Sequence, residues 1–306
     1  MRTPTITHSR ALVLHAILLS GSLSAVLAQD KTGDGYQMSW THTLQEQPDH
    51  VVVHKSPMQG WSFMVYECSA GEALRYWKDH MGTLGGRTSG NDPVRVTGAI
   101  IPDLGADAPL IFATAKKDGA ANDVRISVAF ALNDSTAAPE APGMAASVHD
   151  MAVQVNRAVV QAQVVTAEKR HKRIGADLED AQHEQAVVAR EKSEAGTELE
   201  KANDRQADLA RERTDLQDRL ARLQEDQRKT PDPKTLERIE GTKKDLARVE
   251  QSLLKQQHAE TTAQADLDKQ REQVPQAQEH QQEREAELDR ATREVEALKL
   301  KLQAVR

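Results

Sequence analysis

Ser252 and Lys255 stand in Ser252-Leu253-Leu254-Lys255, the S-x-x-K spacing in which a lysine amine takes the proton of an attacking serine hydroxyl. Acyl transfer needs a pocket around that pair. Leu253 occupies an apolar position of a long helical repeat, so no pocket is expected there. His42, His50 and His54 are the histidine group with metal-ligand spacing, since two residues four apart on a strand point to one face. No Asp, Glu or Cys at firm spacing completes that set, and they read as surface or strand histidines. The loop from Gly82 to Gly90 combines Gly85, Gly86 and Gly90 with Arg87, Thr88 and Ser89, a composition that can cradle an anion but suits a connection better. Cys68, the only cysteine, ends the strand-like run Phe63 to Cys68 and reads as a small buried residue rather than a thiolate nucleophile.

Other catalytic signatures are absent. The chain has no G-x-x-x-x-G-K-[ST], no G-x-G-x-x-G, no H-E-x-x-H and no G-x-S-x-G. The expectation is therefore a protein that is not an enzyme, with no catalytic residues, no cofactor-binding residues and no metal ligands. A deep polar pocket near Trp77 and His80 would point to an enzyme instead.

The front of the chain bears on the compartment. Arg2 and Arg10 precede an apolar stretch from Ala11, and Val26 and Ala28 occupy the minus three and minus one places before Gln29. Residues 1–28 thus read as a cleaved secretory signal peptide; His15 and Ser20-Gly21-Ser22 weaken the alternative of a retained anchor. A single thiol excludes an internal disulfide, which suits a bacterial periplasm. The expected location is periplasmic or secreted, with no transmembrane segment after signal removal. A net charge of -7 and aromatic content of 3% do not suit a nucleic-acid binder.

Residues 29–141 read as a small α+β domain. Met38, Trp40 and Leu44 alternate around His42, and His50 to His54, Ser62 to Glu67, Val94 to Ile101, Leu110 to Ala115 and Val124 to Leu132 are further strand segments. Ser69-Ala70-Gly71-Glu72 has the form of a capping box, and Leu74, Trp77, Met81 and Leu84 follow at helical spacing until Gly85-Gly86. Lys117-Asp118-Gly119 marks a hairpin turn. The proline-rich stretch Ala137 to Gly143 leads from this domain into the helical half of the chain.

Residues 142–306 read as a long antiparallel α-helical coiled-coil hairpin with its turn at 229–234. Registers built separately for the two arms pair so that residue numbers sum to 462: Leu223 with Ile239, Leu216 with Leu246, Leu209 with Leu253, Val188 with Val274, Ile174 with Leu288, Val160 with Leu302. Polar layers align too, Gln206 with Gln256 and Lys192 with Gln270. Thr230-Pro231-Asp232-Pro233 supplies two prolines that stop one helix, with Asp232 as N-cap and Pro233 at the first position of the next. From about Arg157 to the tip the arm should reach roughly 110 Å at 1.5 Å per residue. Pro275 falls on an outward position and should bend its helix rather than end it. Two stripes at the start of the first arm imply two partners: Val148, Met151, Val155, Val159 and Ala162 against the sheet, and Val153, Val160, Val164 and Ala167 against Leu298, Leu302 and Val305.

The export signal, the α+β unit with Tyr76-Trp77-Lys78 and Gly85-Gly86, and the Gln/Glu/Lys-rich helices make the chain similar to exported bacterial proteins of unassigned activity that carry a small α+β domain and a C-terminal coiled coil. That resemblance implies no site. Two functions remain in view. One is a structural or interaction protein whose rod acts as spacer and docking surface for a protein partner of the cell envelope. The other is a periplasmic holdase-like chaperone, which the chain resembles in layout. A domain-swapped homo-oligomer would use the same layers between chains, and only the Pro231 to Pro233 turn argues against it.

Overall fold

The computed structural model describes residues 36–101, 104, 110–119 and 122–306; the signal peptide expected over 1–28 lies outside them. The elements are β1 (Gln47–Val53), β2 (Ser56–Val65), α1 (Ala70–Thr83), β3 (Arg87–Ser89), β4 (Val94–Thr97), β5 (Leu110–Asp118), β6 (Asp123–Asn133), β7 (Thr136–Ala137), α2 (Met144–Lys229) and α3 (Pro233–Ala304). The strands form one antiparallel sheet in the order β1-β2-β6-β5-β4-β3, with β7 on β6.

Alternation along the strands builds two apolar faces. Val124, Ile126, Val128 and Phe130 of β6 and Ile111 and Ala113 of β5 join Trp77 and Met81 of α1 and Val148, Met151 and Val155 of α2 in the main core. Phe112, Ala129 and Ala131 point the other way and are buried with Val51, Val53 and Met58. This second cover exists because β1 and the outer half of β2 fold back over the sheet. β2 pairs with β1 from Ser56 to Ser62 but meets β6 only from Trp61 to Val65. Gly60 sits at that crossing, where a Cβ would fall 2.1 Å from the Val128 carbonyl oxygen. The Ser127 hydroxyl donates to the Asp49 carboxylate at 2.6 Å and ties the folded strand down.

Local signals explain α1. The Glu72 N–H donates to the Ser69 hydroxyl while the Glu72 carboxylate accepts from the Ser69 N–H, the reciprocal capping box written in the sequence. Several strand expectations are corrected. Met38 to Leu44 is not a strand: its alternating apolar residues lie on an irregular segment, with Leu44 in the main core and Trp40 packed against it. His54 and Lys55 form a two-residue turn with positive φ values of 47° and 69°, so β2 begins at Ser56 instead of Ser62. Cys68 lies beyond β2, in the approach to α1. β3 falls inside the Gly82 to Gly90 loop, and β4 stops at Thr97, before Gly98 turns the chain with φ 76°.

Two long helices complete the fold. α2 runs 86 residues through Gly175 and Gly196, and α3 runs 72 residues through Pro275. Asp232 caps α3, its carboxylate accepting from the Lys234 N–H at 3.3 Å, with Pro233 at the first position. Side-chain contacts between the helices run in opposite order along them. Gln163 meets Lys301, Arg170 meets Glu294, His171 meets Thr292, Glu184 meets His280 and Glu191 meets Gln270. Each of these pairs falls within two of the 462 sum. No helix among the described residues is long and apolar enough to cross a membrane.

The first stripe at the start of α2 goes where its spacing points, and the second divides between two clusters. Val148, Met151, Val155 and Val159 enter the main core, whereas Val164 and Ala167 form a separate cluster with Leu298 and Val295. Val160 and Val305 extend the main core, so the start of α2 and the end of α3 are both built into the domain that carries the sheet.

Candidate functional site

The residues with chemical potential in the sequence are dispersed by the fold. Ser252 and Lys255 are exposed on α3 while Leu253 between them is buried. His50 is exposed on β1 and His54 is exposed in the turn after it, so the two share no strand face. His42 instead stacks on Tyr66, ring centroids 3.7 Å apart and planes 8° from parallel, with Trp40 edge-on to both rings. Among the described residues no group of three or more His, Cys, Asp or Glu gathers to hold a metal ion. Trp77 is fully buried in the main core, and His80, one turn further along α1, is partly buried. Cys68 is buried, and burial together with Glu72 and Asp123 pushes its thiol up to about 12, which removes the thiolate at neutral pH.

What the fold gathers is a buried polar junction where α2, α3, β2 and the N-terminal segment meet. Lys301, one turn from the end of α3, has only 3% of its surface exposed. Its ammonium donates to the Glu67 carboxylate, to the Gln37 carbonyl at 2.8 Å and to the Gln163 side-chain oxygen at 3.2 Å. Glu67 is held in turn by the Gln163 amide at 3.0 Å and the Gln37 N–H at 3.0 Å. The residue takes a positive φ of 58° just past the end of β2, a backbone turn that brings its carboxylate under both helices. Burial pushes the Lys301 ammonium below the usual lysine value, and Glu67 pulls it back.

One heptad before Gln163, the fully buried Asn156 completes the joint. Its oxygen accepts from the Tyr66 N–H at 3.1 Å, and its amide donates to the Met64 carbonyl at 2.9 Å and the Ala152 carbonyl at 2.8 Å. A buried amide at this place partners two main-chain groups at the end of β2, the Tyr66 N–H and the Met64 carbonyl, so the helix is docked in one register. The N-terminal segment closes over the same region, with Glu46 reaching His149 of α2 at 3.3 Å. Burial lowers the His42 imidazole below its ordinary value, against the pull of Asp123 and Glu67.

Chemically the junction binds and orients. It contains carboxylate, ammonium and amide groups that satisfy one another, with no hydroxyl or thiol nucleophile set against a base. Sequence reasoning missed all four residues. Asn156 and Gln163, polar side chains a heptad apart within the apolar run from Val148 to Val164, carried a usable signal; Glu67 and Lys301 carried none, because their pairing spans 234 residues. No protein-family model matches this chain, and no curated protein matches it.

Proposed function

We propose that this chain is a non-enzymatic exported protein of the bacterial cell envelope, in which α2 and α3 form an antiparallel coiled-coil hairpin that serves as spacer and docking surface for a protein partner. The observation that supports it is the seam of burial. All twenty repeat positions of the second arm from Ile239 to Val305, and those of the first arm from Ile174 to Leu223 other than Lys192 and Arg213, are wholly or partly shielded from solvent. A seam of that length, rooted through Lys301 and Asn156, gives a rod that holds its far end at a fixed place relative to the sheet. At 1.5 Å per residue, α2 alone spans roughly 130 Å.

The test is a matched shortening of the rod. Deleting residues 210–216 together with 246–252 removes one heptad from each arm and keeps every other layer in register. Photo-crosslinking in cells from exposed Leu236 and Leu254 should capture an envelope protein with the full chain and lose it with the shortened one. Equal crosslinking by both chains removes the spacer role. Suppression of client aggregation by the full chain, without a crosslinked partner, would favour the holdase-like chaperone instead.

A further inference from the structure

β5 outruns the strand beside it. It pairs with β6 along its whole length, from Leu110 to Asp118, but β4 pairs only with Ile111 to Ala113. Asn91 to Pro93, which would carry β4 on past Thr114, form a bend instead. Alternate N–H and C=O groups of an antiparallel strand face each neighbour, so from Thr114 to Asp118 half of them face a side with no strand. No turn or loop main-chain hydrogen bond takes their place among the described residues.

The ends of the sheet are protected in other ways. β1 offers Pro48, which has no N–H, and His50, whose N–H donates to the Asp49 carboxylate at 2.8 Å. β3, at the other end, is three residues long. The open stretch of β5 also borders a cleft of about 440 Å³, lined by Val52 of β1, which is 55% exposed, and by Pro93, Thr114 and Lys116.

Charge along this edge is uneven. Lys116 lies directly across the ladder from Arg125, a like-charged pair, and Asp118 neutralises only Arg125, at 2.6 Å. The Asp49 carboxylate is taken by the Ser127 hydroxyl and the His50 N–H. Lys116 and Lys117, on opposite faces of the strand, are exposed and have no ion-pair partner among the described residues. Asp92 stands at the other end of the open stretch, beside Pro93. Such lysines keep copies of this chain apart, because antiparallel pairing of two of these edges brings Lys116 against Lys116. They attract a strand of opposite charge.

We propose that the open edge of β5 takes up an extended acidic segment of another polypeptide as an added antiparallel strand. Its acidic side chains lie opposite Lys116 and Lys117, and an aliphatic one packs against Val52 and Pro93. This surface is separate from the helix pair and does not rest on the spacer reading.

The probe is a fluorescent peptide, threonine-glutamate-glutamate-threonine-valine-threonine, titrated against the full chain. One control carries glutamine in place of both glutamates. Two more carry N-methyl groups on alternate amides, one in each phase, so that only one of them blocks the amides that face β5. The expected result is binding of the glutamate peptide, about fivefold weaker with glutamine, and lost in one N-methyl phase only. Hydrogen exchange should slow across residues 114–118 when the peptide binds. The variant Lys116→Gln, Lys117→Gln should weaken binding about fivefold, and Lys243→Gln, Lys244→Gln, which removes the same charge from exposed positions of α3, less than about twofold. Thermal melts check that both variants stay folded. No binding, an equal effect of the two N-methyl phases, equal weakening by the two lysine variants, or protection that appears away from β5 overturns the proposal. The paired heptad deletion, which tests the rod, leaves this surface intact, so the two readings fail separately.

Discussion

Lys301 near the end of α3 donates to the carboxylate of Glu67 just past β2, a contact between residues 234 apart in sequence whose ammonium side is sealed from solvent. The two partners are not equivalent. Removing Lys301 leaves Glu67 with donors from the Gln37 N–H and the Gln163 amide, and with partial access to water. Removing the Glu67 charge leaves a buried ammonium facing only neutral acceptors. Breaking a buried pair so that one charge is stranded costs about 3–5 kcal/mol. Glu67→Gln should therefore destabilise the domain by about that amount and Lys301→Met by clearly less, measured by urea unfolding. Equal losses would show that the charge of Lys301 is already well solvated.

Asn156 is a second asymmetric position. Asn156→Ala strands the Tyr66 N–H and the Met64 carbonyl, two main-chain groups at the end of β2. An unsatisfied buried group costs about 1–3 kcal/mol, so a total of about 2–6 kcal/mol is expected, with Asn156→Leu no better despite its matching size. Hydrogen exchange should rise at Tyr66 in both variants. Unchanged protection there would mean that water replaces the amide.

Much of this architecture was legible because its signal is redundant. The repeat from Ile239 to Val305 states the same burial every three or four residues, and Lys192 and Arg213, the exposed exceptions, are the residues whose long charged stems reach water. The junction had no such redundancy. β3 is three exposed residues with no alternation to detect, and the segment around Trp40 alternates like a strand although tertiary contacts place it. Glu67 and Lys301 acquire meaning only when the chain ends come together. Local pattern carries no information about a contact of that range.

Acid should loosen the same region. Burial holds the imidazoles of His42 and His80 below their ordinary value; Asp123 and Glu67 oppose this at His42, Lys301 adds to it, and Asp150 opposes it at His80. A group that is more easily deprotonated when folded binds fewer protons in the native state than in the unfolded one. Its stabilisation is full above the unfolded value of about 6.5 and declines as pH falls through that value toward the lower folded one. The Tm should drop between about pH 7.5 and pH 5.5, above the range of the carboxylates. His42→Phe with His80→Gln, which keeps a ring on Tyr66, should flatten that slope, and an unchanged slope would assign the effect elsewhere.

Three glycines should respond in opposite directions. Gly175 lies inside α2 with no neighbour within 4 Å of a new Cβ, so Gly175→Ala should stabilise by about 1 kcal/mol. At Gly86 a Cβ would come 2.7 Å from Val96 Cγ1 and 2.8 Å from the Met81 carbonyl oxygen, and Gly86→Ala should lower the Tm. Gly60→Ala should be the worst of the three, because its 2.1 Å clash is with backbone that cannot yield without unpairing β2 from β6. Thermal melts of the three variants check the order.

Cys68 offers a readout of the whole junction. Its thiol lies in the main core between Glu67 and the Ser69 cap, and burial raises it to about 12. Only thiolate reacts with a disulfide reagent, so at pH 8 the folded protein should label slowly, limited by opening of the core, while the urea-unfolded chain should label at the rate of a free cysteine. Glu67→Gln should speed labelling in proportion to the stability it removes, because both effects pass through the same opening of β2 away from the helices. Fast labelling of the folded wild-type chain would mean that Cys68 is accessible without opening, and that the core beside Glu67 is looser than its burial implies.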